Sequence, residues 1–378
     1  MGHTLRAQFP LFQHPIASFL LTLTRFRREC ADSAERRSAL PKSEGCGRVV
    51  AVVALFLLLT PALRTFAAAA QNTDEFKRGS VRLALQWLPQ SQFAGFYLAR
   101  DLGYYSEAGL EVTLLHTGPG PTSLDFLKEG KADFVSMFLA DAIIHAEEAP
   151  GLVHLAQIGR RSNLLLVAWK DMGISSPADL SGRRVSYWPG VFSATFTAFF
   201  KQNGIQPEAI PQHHSINLFL HRGVAACAAM SYNEYYRFYE AGVDFDRLTV
   251  FKMQDYDLGF PEDGLYTTAE NARNRAGPCR ALRTATLKGW EYARQNPEKA
   301  LEVVLRESRQ AGVPACRPHS RWMLQQILDS IYLPGQESAP GHLEPEIYTL
   351  AVKKLKTAGL IKSAPAFETF APFERGTP

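Results

Sequence analysis

Residues 81–87 (Val-Arg-Leu-Ala-Leu-Gln-Trp) alternate apolar and polar positions before Pro89 breaks the pattern, which predicts a half-buried strand running into a loop. From Phe93 to Leu102 the spacing lengthens to that of a helix. Phe96, Leu98, Ala99 and Leu102 supply the apolar positions, and Gly103 is placed to end it. A second strand is predicted at Leu110–Leu115, so the chain opens β-α-β. The cycle repeats with a helix from Ser123 to Glu129 stopped by Gly130, a strand from Ala132 to Met137, and a helix from Ala140 to Glu148. Strands separated by helices of this length predict an α/β fold around a parallel sheet covered on both faces.

Leu164–Trp169 is a further apolar strand, and the pattern then restarts. A short helix begins at Ser176, followed by a strand at Arg184–Tyr187, a helix from Ser193 to Gln202 and a strand from Ala225 to Met230. Beyond Tyr266 the spacing is that of amphipathic helices at 281–295, 297–307, 319–331 and 344–358. This predicts two α/β lobes joined by a hinge. Lobe one opens over residues 80–169, lobe two spans 170–262, and residues 263–362 return to lobe one with the C-terminal helices packed on it. The crossings are expected near 169–173 and near 262–266.

Residues 1–70 read as a leader. The apolar run at 49–59 follows Arg48 and precedes Pro61 and the tract Ala67–Ala70, the order of a secretory signal cleaved near Ala69 or Ala70. A run of this length is short of the roughly 20 residues a membrane-spanning helix needs. The formal net charge of +4 belongs to this leader. Its nine Lys/Arg against four acids leave 32 basic and 33 acidic residues from 71 onward, a balance that gives no field favouring nucleic acid. No cysteine suited to lipid attachment follows the apolar run, which favours a free periplasmic product. Three cysteines remain beyond the leader. Cys279 and Cys316 both lie beside prolines at segment edges and could pair in an oxidising compartment, with Cys227 buried and free; three reduced thiols is the alternative.

The ordered strings Trp87-Leu88-Pro89, Ala94-Gly95-Phe96-Tyr97-Leu98-Ala99, Gly103-Tyr104-Tyr105, Gly109-Leu110-Glu111-Val112, Lys131-Ala132-Asp133-Phe134, Ser176–Gly182, Tyr232-Asn233-Glu234 and Pro261–Thr267 carry a resemblance. Over roughly residues 80–330 the chain resembles the type II periplasmic solute-binding proteins of ABC transporters, in the NMT/THI-like group related to thiamine-pyrimidine precursor binding and synthesis. The resemblance implies a hinged two-lobed fold, a small heteroaromatic ligand, an ABC permease partner in the inner membrane and, in most members, no catalysis. One departure stands out. Pyrimidine-binding relatives often place a His directly before the Ala-Gly-aromatic-Tyr motif, where this chain has Gln92-Phe93.

Candidate ligand contacts follow from strand ends and from this resemblance. Trp87 ends the first strand, where sheets of this kind open to ligands, and its indole can stack on a ring. Phe93 and Tyr97 lie one helical turn apart. Met137 ends a lobe-one strand. In lobe two, Trp188 and Ser193 flank a strand-to-helix turn whose free N–H groups suit an oxygen acceptor. Tyr232, Asn233 and Glu234 follow an apolar strand, Asn233 offering donor and acceptor and Glu234 accepting from an exocyclic amine. Asp263, near the return crossing, suits either ligand contact or hinge bracing. The structural alternatives are core packing for the aromatics, Met137 as an ordinary strand-to-helix connection, and helix capping for Ser193, Asn233 and Glu234.

No Gly-x-Ser-x-Gly elbow, His-Glu-x-x-His or phosphate-binding loop is present, and no cofactor or metal is expected. His213-His214 reads as a solvated loop. A monomeric binding protein without nucleic-acid partners is the expectation. The rivals are a thiamine-pyrimidine precursor synthase-like enzyme, against which the missing cysteine-rich iron motif argues, and a ligand-sensing module for a membrane signalling protein.

Overall fold

Two five-stranded sheets organise the chain in a computed structural model that describes residues 79–148, 151–333, 335 and 340–374. The expected leader, with its apolar run at 49–59 and cleavage site, lies outside the described residues. The first half contributes β1 (Ser80–Leu85), α1 (Ala94–Asp101), α2 (Tyr104–Glu107), β2 (Glu111–His116), α3 (Ser123–Lys128), β3 (Phe134–Met137), α4 (Leu139–Ile144) and β4 (Leu152–Gly159). The second sheet is built from β5 (Leu164–Trp169), β6 (Arg184–Tyr187), α5 (Ala194–Gln202), β7 (Glu208–Pro211), α6 (Asn217–Leu220), β8 (Ala226–Met230), α7 (Glu234–Glu240) and β9 (Leu248–Lys252). The chain then returns through β10 (Glu262–Thr268) and ends in α8 (Ala269–Asn274), α9 (Ala276–Gln295), α10 (Pro297–Gln310), α11 (Arg317–Ile331), α12 (Pro345–Thr357) and α13 (Phe367–Phe370).

The first sheet has the order β2-β1-β3-β10-β4 and the second β7-β6-β8-β5-β9. The sequence pattern predicts a parallel sheet, but neither sheet is parallel throughout. Pairings among β1, β2 and β3 are parallel, but β10 runs antiparallel to both β3 and β4. In the second sheet β5 is antiparallel to β8 and β9. The cause is connectivity: a strand that arrives directly from the other lobe has no crossover helix to reverse it. β4 and β10 were not legible as strands. The first, Leu152–Gly159, is interrupted by His154 and Gln157 without alternating, and the second opens on two acids.

The crossings also move. β4 belongs to the first sheet and β5 to the second, so the chain crosses at 160–163, and Leu164–Trp169 is a strand of lobe two. It returns through residues 253–261, before β10 is laid into the middle of the first sheet.

Helix α9 packs on α1 closely enough that side chains are excluded at the contact. A Cβ on Gly289 would stand 2.1 Å from the Gly95 carbonyl oxygen, and one on Gly95 would enter the Trp290 ring. Trp290 and Phe96 meet edge to face at 6.1 Å, both fully buried. The C-terminal helices do more than cover lobe one. Trp322 on α11 stacks on Tyr236 of α7 and donates its indole N–H to the Ser231 carbonyl at 3.0 Å. Lys354 on α12 reaches Gln202 at the end of α5, at 2.9 Å. Both helices therefore touch both lobes.

The proposed pairing of Cys279 and Cys316 is not made. Helix α9 begins at Ala276, so Pro278 sits in its first turn, where a missing N–H costs nothing. Cys279 is thereby buried inside the helix, while Cys316 is exposed beside Glu240. Cys227 is buried and free on β8.

Among the described residues no helix is long and apolar enough to cross a membrane.

Candidate functional site between the lobes

The strand ends of the two sheets face each other across a cleft. Lobe one supplies Gln86 and Trp87 after β1, Gln90 and Gln92 from the following turn, and Phe138 after β3. Lobe two supplies Trp188 and Phe192 after β6, and Met230, Tyr232, Asn233 and Glu234 after β8. The free volume is about 50 Å³. That holds one or a few waters, so a ring enters only when the lobes part.

Phe192 is what closes the gap. Its ring lies edge-on to Trp87 at 6.0 Å and to Phe138 at 5.4 Å, joining the lobes through aromatic contacts. Trp188 is fixed by its indole N–H, which donates to the His213 carbonyl at 3.1 Å. The walls are thus flat and apolar, suited to stacking.

Polar groups are few and directed. Asn233 donates through Nδ2 to Glu234 Oε1 at 2.8 Å, while its own Oδ1 is buried without a partner. A buried acceptor left open costs free energy until a donor arrives. Glu234 is buried, accepts from the Met230 backbone N–H at 2.9 Å, and has its carboxyl pushed up by desolvation. Behind the lobe-one wall, Asp263 Oδ1 accepts from Gln92 Nε2 at 2.7 Å and from Gln86 Nε2. Burial raises the Asp263 carboxyl to about 7. Its backbone has φ 54, a left-handed conformation that Asp tolerates better than most residues.

Five of the expected contacts therefore meet in one cavity: Trp87, Trp188, Tyr232, Asn233 and Glu234. Others stand elsewhere. Phe93 and Tyr97 are fully buried in lobe one, both packed against the His116 ring, and the Tyr97 hydroxyl bonds His116 Nε2 at 3.1 Å. Met137 lines a smaller neighbouring cavity. Ser193 turns its hydroxyl back to the Gly190 carbonyl at 2.7 Å, away from the cleft. Asp263 lies behind the cleft and orients two glutamines that line it.

Gln86, Gln90, Gln92, Phe138, Phe192 and Met230 were not among the expected contacts. A signal existed for the glutamines: three uncharged amides crowd around Trp87 and Pro89, in a stretch with no surface charge to explain them. Gln92 also answers the departure noted above. The residue before the Ala-Gly motif, Phe93, is core, and the amide one position earlier provides the polar side chain at the cleft.

The model of the NMT1/THI5-like family matches residues 90–300, more than half of the chain. The chain belongs to the NMT1/THI5-like family. A curated relative, the formylaminopyrimidine-binding protein of Halalkalibacterium halodurans, is 24% identical over 288 residues, covering 72% of this chain and 85% of that protein. Among solved structures, the chain resembles the periplasmic aliphatic sulphonate binding protein SsuA of Escherichia coli. The TM-score is 0.57 and the identity 16%, over 78% of this chain and 92% of that one. It also resembles the alkanesulfonate-binding protein SsuA of Xanthomonas axonopodis pv. citri bound to MOPS, with TM-score 0.58 and 11% identity over 77% and 97%. This NMT1/THI5-like chain thus has the periplasmic binding protein fold, with its cleft where the strand ends of the two sheets meet.

Proposed function

We propose that the chain is the exported solute-binding component of an ABC importer, closing its two lobes on a small nitrogen heterocycle of the thiamine-pyrimidine precursor class and presenting it to an inner-membrane permease. The observation that carries this reading is the composition of the cleft. Flat apolar walls from Trp87, Phe138, Trp188 and Phe192 enclose acceptors on Asn233 and Glu234, and no Lys or Arg stands among the lining residues described. Such a surface complements an uncharged or cationic ring with N–H groups and gives a sulfonate no counter-charge. The formylaminopyrimidine-binding relative supports the same ligand class.

Isothermal titration of the purified protein with aminopyrimidines and with short alkanesulfonates tests it. The expected result is saturable aminopyrimidine binding with negative heat-capacity change, weakened roughly tenfold in Asn233→Ala. Sulfonate binding with no response to any pyrimidine overturns the ligand class.

A further inference from the structure

We propose that Asp141 forms a second recognition point, an acceptor subsite beside the main cleft that takes an ammonium or amino group carried on a short arm of the ligand. This rests on the heterocycle reading above and names the substituent that reading leaves open.

The subsite is a small cavity of about 20 Å³, enough for one small group. It shares Gln86, Phe138 and Phe192 with the main cleft, so a ring held there can extend an arm into it. Asp141, in the first turn of α4, lines it and is buried. Acids are common in the first turn of helices, where they are normally solvated or capping. This one caps nothing, and burial, with no hydrogen bond to oppose it, pushes its carboxyl well above the usual range. An unpaired buried carboxylate is costly.

The hydroxyls of the subsite already spend their protons elsewhere. Ser123 Oγ donates to the Ser136 carbonyl at 2.8 Å, and Thr122 Oγ1 to Asp125 at 2.8 Å. Gln86 gives one of its two amide N–H groups to Asp263, and its side chain lines both cavities. With the hydroxyl protons spent, the Asp141 carboxylate is the strongest acceptor left for an N–H-rich group. One internal candidate partner is close, the Tyr266 hydroxyl, which is buried and also without a partner. A purely structural role would have Asp141 serve that hydroxyl.

Calorimetry with 4-amino-5-aminomethylpyrimidine and its 5-hydroxymethyl counterpart separates these roles, using wild type, Asp141→Asn and Tyr266→Phe, each checked for a cooperative thermal transition. The expected result is a preference of tenfold or more for the aminomethyl compound in wild type and Tyr266→Phe. In Asp141→Asn that preference is lost while hydroxymethyl binding is kept. Should Asp141→Asn not fold, Asp141→Ser carries the same comparison. Equal binding of both compounds to wild type and Asp141→Asn overturns the subsite and leaves the heterocycle reading standing. Equal loss of stability in Asp141→Asn and Tyr266→Phe with unchanged selectivity assigns Asp141 to the fold. No binding of either compound, or of any heterocycle, overturns both.

Discussion

Glu262 stands where the two chain crossings meet, and its substitution by Gln gives a quantitative test of how the hinge is held. Its carboxylate accepts from Ser162 Oγ at 2.9 Å, from the Asn163 backbone N–H at 2.7 Å and from Asn163 Nδ2 at 3.0 Å. Ser162 and Asn163 belong to the outgoing crossing, and Glu262 opens the returning strand. Burial dominates these bonds and lifts the carboxyl to about 8. The sign follows from linkage. The folded protein holds this proton up to about pH 8, while the unfolded chain releases it near 4.5, so stability is fully present below pH 4.5 and falls as pH rises through that window. At about 1.4 kcal/mol per unit, Glu262 costs roughly 5 kcal/mol of stability by pH 8.5.

Glu262→Gln keeps one acceptor oxygen and removes the titration. At pH 5 the variant is expected to lose about 1 kcal/mol through the missing acceptor. Relative to wild type it then gains roughly 3–5 kcal/mol between pH 5 and pH 8.5. Urea unfolding at both pH values reads this directly, and thermal scans show the variant overtaking wild type by on the order of 10 °C. Asp263 titrates in the same region and its charge helps raise the Glu262 carboxyl, so the comparison reads the two acids as a pair. Parallel stability curves for the two proteins across this pH range would refute the assignment of a proton to the hinge.

Two further outcomes follow from the packing. Gly289→Ala forces α9 away from α1 and is expected to cost about 2 kcal/mol or more, measured by urea unfolding, whereas Gly277→Ala, where an added Cβ meets nothing within 4 Å, is expected to change stability little. Thiol alkylation of the native protein followed by peptide mapping should label Cys316 and spare Cys227 and Cys279, since only Cys316 is exposed. Equal protection of Cys279 and Cys316 that reductant removes would restore the disulfide.

Much of the fold was legible where local pattern and burial agree. Strands β1, β2, β3, β6 and β8 alternate or are bounded by turn residues, and their ends brought Trp87, Trp188 and Tyr232–Glu234 to one cleft. Phe93 and Tyr97 were expected at the cleft and are core instead. Helical spacing reports that α1 has an apolar stripe but not which neighbour covers it, and here the neighbours include α9, nearly two hundred residues later. The same limit hid β10, which opens on Glu262 and Asp263, because Asn163 and the two glutamines that hold these acids lie far away in the chain. Phe192 was hidden for another reason: its partners Trp87 and Phe138 are on the opposite lobe, and no local spacing encodes a contact across a cleft.

The stack of Trp322 on Tyr236 ties the last third of the chain to the far lobe. A movement of one lobe against the other must either drag α11 along or pull these two rings apart. In the first case the long helices set the axis of the swing. In the second, the emission of Trp322, read by comparing the protein with Trp322→Phe, reports whether the jaws are shut.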